Sequence, residues 1–184
     1  RVDELLCLGL HLREMFGAGA RYMTLTHWYN TDWADAATAP PEHGGLTAFG
    51  EAVVLEMNRL GMLVDLAHVS EQTMNRALDV TRAPVIFSHS GARALDSHAR
   101  NVPDAVLKRL AANGGVAMVN FSPDFASEEA LDYYANLEAE TTRLKELKPG
   151  DPAGVEKGLD AWKAAHPVVK ATLRQVADHV DHIR

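Results

Sequence analysis

The sequence predicts an α/β fold, with parallel strands covered by helices. Two observations carry this. Four short, almost continuously apolar runs punctuate the chain (RYMTLTH at 21–27, MLVDLAH at 62–68, PVIFSHS at 84–90 and VAMVNF at 116–121), and amphipathic stretches of helical length separate them. Strands that are apolar throughout are buried on both faces, as parallel strands under helices are.

The elements follow in order. From Val2 to Phe16 the residues Leu5, Leu8, Leu12 and Met15 recur at helical spacing, with Cys7 on the apolar side and Gly17 placed to end the helix in a left-handed C-cap. The first strand follows at 21–27. A loop from Asn30 to Gly45, rich in Asp, Pro, Ala and Gly, is longer than a plain connector and reads as a binding loop. Thr47 then caps a helix to Leu60, which Gly61 ends. The second strand and a helix capped by Ser70 repeat this grammar, and the third strand follows. Beyond a loop carrying Arg93, His98 and Arg100, Pro103 opens a helix that closes near Asn113 and Gly114, before the fourth strand. The stretch 127–165 is polar and charged around Pro149-Gly150-Asp151-Pro152, and reads as a helical insertion with a turn. A last helix runs from beyond Pro167 through Leu173, Val176 and Val180 to Arg184. The opening residue is not Met and the βα series stops on a helix, so both ends are expected to be truncated.

Composition bounds the function. Of 184 residues 47% are hydrophobic, enough for one domain with a sizeable core. Lys and Arg number 18 against 25 Asp and Glu, a net charge of −7, and no local basic patch offsets it, which argues against nucleic acid as a partner. Cys7 is the sole cysteine and has no disulfide partner within the sequence. No run is long and apolar enough to span a membrane, and the start is not a signal peptide. The cellular location stays open, cytoplasmic or exported.

Three successive strands close on histidine: His27, His68 and His89. In parallel α/β architectures the carboxyl ends of strands line the functional face, so three imidazoles are expected to meet there. One helix and one strand separate His68 from His89, making them spatial neighbours. A single histidine at a strand end is ordinarily a satisfied loop or core residue. Three at one rim favour a metal, since neutral imidazole is a common zinc ligand. The remaining histidines carry less: His11 in a helix, His43 in the long loop, His98 in a loop, His166 at a turn. His179 and His182 form an i, i+3 pair that Asp178 and Asp181 mark as a solvated face rather than a metal site. Trp28, Tyr29 and Trp33 either pack around a pocket or anchor their loop. Gly17-Ala18-Gly19 precedes a strand, the wrong context for a dinucleotide loop. Ser88 and Ser90 flank His89 without a nucleophile elbow, so a serine hydrolase is a weak alternative.

Arg21-Tyr-Met-Thr-Leu-Thr-His27, followed by Asn30-Thr31 and Trp33-Ala34-Asp35, resembles the RYxTLTHxxNTxWAD block of the membrane (renal) dipeptidase family. The likeness continues through Gly45–Gly50, Glu56–Gly61, Asp65–Ser70, Arg82–Ser90, Arg100–Asp104 and Met118–Phe121, and resumes at Val176–Ile183. The stretch 127–165 resembles the longer version of bacterial members. The resemblance implies a (β/α)8 barrel of the metal-dependent hydrolase type, with residues 1–184 as one incomplete barrel domain covering strands four to seven. It implies two Zn2+ ions per intact site and cleavage of dipeptides, including those with a C-terminal D-residue, by a metal-activated water. Carried over by position, His68 and His89 are ligands of one zinc. His27 holds the substrate carbonyl as it becomes an oxyanion, and Arg100 grips the free carboxylate. Homodimers occur in the family. The family's His-x-Asp on the first strand, the Glu bridging the metals and the closing-strand Asp have no counterpart here. The bridging Glu is expected just upstream of Arg1 and the closing strand just downstream of Arg184, and this piece alone is expected to be inactive. Two alternatives remain: a non-catalytic, barrel-derived binding module, and another metal-dependent hydrolase of small amides.

Overall fold

The computed structural model describes residues 2–184, with side chains from Leu10 onward; the expectation that Cys7, Leu5 and Leu8 pack in the core lies outside the described side chains. In chain order the elements are α1 (Val2–Gly17), β1 (Tyr22–Thr24), α2 (Ala48–Leu60), β2 (Leu63–Asp65), α3 (Glu71–Val80), β3 (Ile86–Ser90), α4 (Asp104–Asn113), β4 (Val116–Val119), α5 (Pro123–Ala126), α6 (Glu128–Leu147), α7 (Pro152–Ala165) and α8 (Leu173–Ile183). The strands form one parallel sheet in the order β1-β2-β3-β4, as the alternating pattern predicts.

Helix boundaries follow the capping chemistry. The Thr47 side chain accepts from Gly50 N and the Ser70 side chain from Thr73 N, while Gly61 and Gly114 take the left-handed conformation at the ends of α2 and α4. The first helix departs from expectation: Gly17 is its last residue, and the reversal occurs at Gly19, where φ is 107°. Its apolar stripe is also narrower than predicted, with Leu12 buried and Met15 54% exposed.

The strands are shorter than their apolar runs. Ladders end at Thr24 and Asp65, so His27 and His68 lie three residues beyond β1 and β2, and only His89 lies within a strand. The apolar residues past the strands are buried all the same: Leu25 and Leu66 still donate their amides to the Asp65 and Ile86 carbonyls, and Ala67 and Val69 stay in the core beyond them. Hydrophobicity there marks burial beyond the reach of the strands.

One face of the sheet carries Val64, Val85 and Phe87, packed with Val53, Val54 and Met57 of α2, Met74 and Ala77 of α3, and Val106 and Leu110 of α4. Because side chains alternate along strands and the register pairs Thr24 with Asp65 and Asp65 with Ile86, Thr24, Asp65 and Ser88 share the opposite face. Tyr22, Leu63, Val116 and Met118 on that face are 42–55% exposed.

The long loop before α2 is tightly built. Buried Asp35 accepts backbone hydrogen bonds from Glu42, His43 and Gly45. Burial pushes its carboxyl up in pKa, but these donors outweigh it and the net shift is downward. Between β4 and α8 stand α5, α6 and α7, with the α6–α7 turn at Lys148–Asp151 as the Pro-Gly-Asp-Pro sequence predicts. The short α5 was not expected. Nor does the last helix begin directly after Pro167: it starts at Leu173, behind a capping box between Thr172 and Gln175. No helix of the described residues is long and apolar enough to cross a membrane.

Candidate metal and substrate site

The carboxyl rim of the sheet gathers the three predicted histidines. The His27 ring stacks on that of His68 with centroids 4.2 Å apart, and His68 meets His89 at 4.9 Å. The Nε2 atoms of His68 and His89 are 2.9 Å apart, close enough for both nitrogens to face one small ion. His68 occupies the left-handed region, φ 70°, the one non-glycine residue to do so among those described. That conformation costs about 1 kcal/mol or more for a side-chain-bearing residue and turns the imidazole inward.

Electrostatics favour the neutral form of both rings. Burial lowers the pKa of His68 to about 4, helped by the Arg100 guanidinium and by the other two histidines, and opposed by a backbone hydrogen bond to His27. Burial and Arg100 likewise lower that of His89, although Asp65 pulls the other way. Neutral imidazole is the form that ligates a metal.

Arg100 is 3% exposed. Its Nη2 donates to the His89 carbonyl at 3.3 Å, its Nε is buried without a partner, and its Cζ lies 4.8 Å from the Phe125 ring centroid and 5.8 Å from that of Trp28. Among the described residues no carboxylate forms an ion pair with it. Burial lowers its pKa to about 10, which leaves it charged at neutral pH. A cation held this way, with donors to spare, is suited to an incoming carboxylate.

Residues 9–184 match the sequence profile of the membrane dipeptidase family, peptidase family M19. The chain belongs to this family. An uncharacterized dipeptidase of Schizosaccharomyces pombe is 53% identical over 124 residues, which cover 66% of this chain and 30% of that protein. The dipeptidase aclJ of Aspergillus oryzae is 44% identical over 142 residues, 72% of this chain and 34% of that one. Among solved structures, the probable dipeptidase PvdM of Pseudomonas aeruginosa superposes with a TM-score of 0.77 at 25% identity, over 95% of this chain and 50% of that one. The chain thus spans about a third of the curated relatives it matches. M19 dipeptidases are TIM barrels, and the four parallel βα units are part of one.

Within this M19 chain the other predicted positions sort clearly. Trp28 stands edge-on to His68 at 5.4 Å, Tyr29 is 81% exposed, and Trp33 packs against the core. His98 stacks on Phe125 at 4.1 Å, and its Nδ1 accepts from Arg100 N at 3.1 Å, so it shapes the arginine's surroundings rather than standing idle in a loop. His43 bonds the Thr31 carbonyl and His166 stacks on Trp162, both away from the rim. His179 and His182 do not face one another: His179 is buried with Nδ1 accepting from Ala92 N, whereas His182 meets Asp104. The solvated-face reading therefore holds for His182 and fails for His179.

Two residues at the rim were not singled out from sequence, Asp65 and Thr24, and a third, Ser88, was weighed only as a nucleophile. Asp65 is fully buried and bonds both Thr24 and Ser88. The signal was present in the polar residue inside MLVDLAH, an otherwise apolar strand, because a buried carboxylate requires donors.

Proposed function

We propose that the intact protein is a zinc-dependent dipeptidase that hydrolyses dipeptides, including those with a C-terminal D-residue, at a site holding two metal ions. The observation that carries this reading is the convergence of His68 Nε2 and His89 Nε2 beside the Arg100 guanidinium, whose Nε is buried without a partner. Two neutral imidazoles fit half of a tetrahedral zinc shell. Among the described residues no group of three or more His, Cys, Asp or Glu side chains could hold a metal, and His68 with His89 would supply two ligands of the shell. Zinc bound there supplies Lewis acidity and an activated water.

This chain's own side chains bind and orient the substrate. Arg100 pairs with the free carboxylate of the dipeptide, which places the scissile carbonyl near the rim. His27 is the exposed member of the histidine cluster and donates to the carbonyl oxygen as negative charge develops. Trp28, 48% exposed beside both histidines, walls the pocket. The chain as a whole corresponds to strands four to seven of the barrel, with 127–165 inserted between the fourth of these βα units and its final helix.

The test is hydrolysis by the intact, zinc-loaded protein of L-Ala-L-Ala, L-Ala-D-Ala, N-acetyl-alanine and a lactone. Cleavage of dipeptides that is lost on chelation and in His68→Ala and His89→Ala supports the assignment. Turnover of the N-acyl compound or lactone alone would assign another amide hydrolase, and zinc binding without any turnover a binding module.

A further inference from the structure

We propose that Asp65 is a positioning residue that acts through Ser88 to hold His89 with Nδ1 protonated and Nε2 bare, aimed at the point it shares with His68. The inference deepens the reading of His89 as a zinc ligand and rests on it.

The argument is an accounting of hydrogens. The Asp65 carboxylate is fully buried and accepts four bonds: from Ala67 N at 3.0 Å and Ser88 N at 2.9 Å on Oδ1, and from Thr24 Oγ at 2.7 Å and Ser88 Oγ at 2.6 Å on Oδ2. An ionised carboxylate only accepts, so the single hydroxyl hydrogen of Ser88 is committed to Asp65. Ser88 Oγ also lies 2.8 Å from His89 Nδ1. With its own hydrogen spent, Ser88 can only accept there, and Nδ1 must be the donor. A neutral ring protonated at Nδ1 has its lone pair on Nε2, the atom 2.9 Å from His68 Nε2. The order Asp65–Ser88–His89 also removes Ser88 from contention as a nucleophile, since its oxygen is enclosed between a carboxylate and an imidazole.

Metal-binding histidines ordinarily pass their second ring nitrogen to a carboxylate or carbonyl, which sets tautomer and ring plane. Here a serine is interposed. Ser88 ties the carboxylate to β3 and Thr24 ties it to β1, while Ala67 N holds it from the turn just past β2; with Asp65 itself on β2, the relay spans three strands.

The primary variant is Ser88→Ala in the intact protein, because it removes the interposed hydroxyl and leaves the Asp65 backbone donors in place. Two quantities are read: zinc affinity by competition with a chromophoric chelator, and the His89 tautomer by long-range 1H–15N correlation in the metal-free protein. Ser88→Ala is expected to weaken zinc binding about 10–100-fold and to replace the single Nδ1–H form of His89 by a mixture, with Ser88→Thr restoring both. Asp65→Asn is expected to act in the same direction, its thermal unfolding reported alongside to separate loss of fold from loss of orientation. Wild-type affinity together with an unchanged tautomer in Ser88→Ala overturns the proposal. If His89→Ala itself binds zinc as wild type does, the ligand assignment fails instead.

Discussion

His68 Nε2 stands 2.9 Å from His89 Nε2, although one ring hangs from a left-handed residue beyond β2 and the other from the penultimate residue of β3, where the register with β4 shifts. On the proposed reading, removing either imidazole takes away one of the two ligands this chain supplies. Zinc affinity of the intact protein is expected to fall by more than about 100-fold in His68→Ala and in His89→Ala, a larger loss than that of an outer partner. Titration against a competing chelator checks it.

The backbone at His68 yields a separate expectation. At φ 70° glycine is unstrained and alanine is not, so without metal His68→Gly should be more stable than His68→Ala by about 1 kcal/mol. Urea midpoints of the two variants decide this.

Arg100 is expected to act on KM. Replacement by Met, or by Lys with its different geometry, should raise KM about 10–100-fold for dipeptides with a free carboxylate, the magnitude of lost charge-assisted hydrogen bonds. The corresponding dipeptide amides should show little change. Comparison of the two substrate series is the measurement.

Asp96 gives a pH dependence. It is 1% exposed, and burial, with Glu128 and Asp124 nearby, raises its pKa from 3.8 to about 6 against the hydrogen bonds from His98 N and the Asn101 side chain. The folded state therefore holds the Asp96 proton more tightly than the unfolded chain. This stabilisation is complete below pH 3.8, is lost as pH rises through about 6, and stays lost above. Asp96→Asn is expected to remove that decline. Measured between pH 4 and 6.5, the variant's stability should gain on wild type with rising pH by roughly 1–3 kcal/mol.

Gly91 sits where three elements close on the rim. A Cβ there would lie 2.7 Å from Asn101 Oδ1, 2.8 Å from His179 Nδ1 and 2.8 Å from the Phe125 carbonyl. Gly91→Ala is expected to destabilise the protein by about 2–4 kcal/mol, read by thermal or chemical unfolding.

Much of the fold was legible because its signals are local. Thr47, Ser70, Gly61 and Gly114 each mark a helix end by their own chemistry, and the apolar runs mark buried chain. The ends of the ladders were not legible, since Ala67 and Val69, beyond the end of β2, are as buried as the residues within it. The gathering of His27, His68 and His89 was readable because strand ends share a rim. The inward turn of His68 was not, because it depends on a backbone conformation that nothing about histidine foretells. His179 was misread with the polar residues around it, as its tie to Ala92 N is made across 87 positions of chain.

The ties among Thr24, Asp65 and Ser88 reach across three adjacent strands. A slip of β2 by one residue against either neighbour would swing Asp65 to the helix-covered side and bring Val64 to the rim. The same hydrogen bonds that aim an imidazole thus penalise misaligned sheets, so that correct alignment of the strands and competence of the site are selected together as the chain folds.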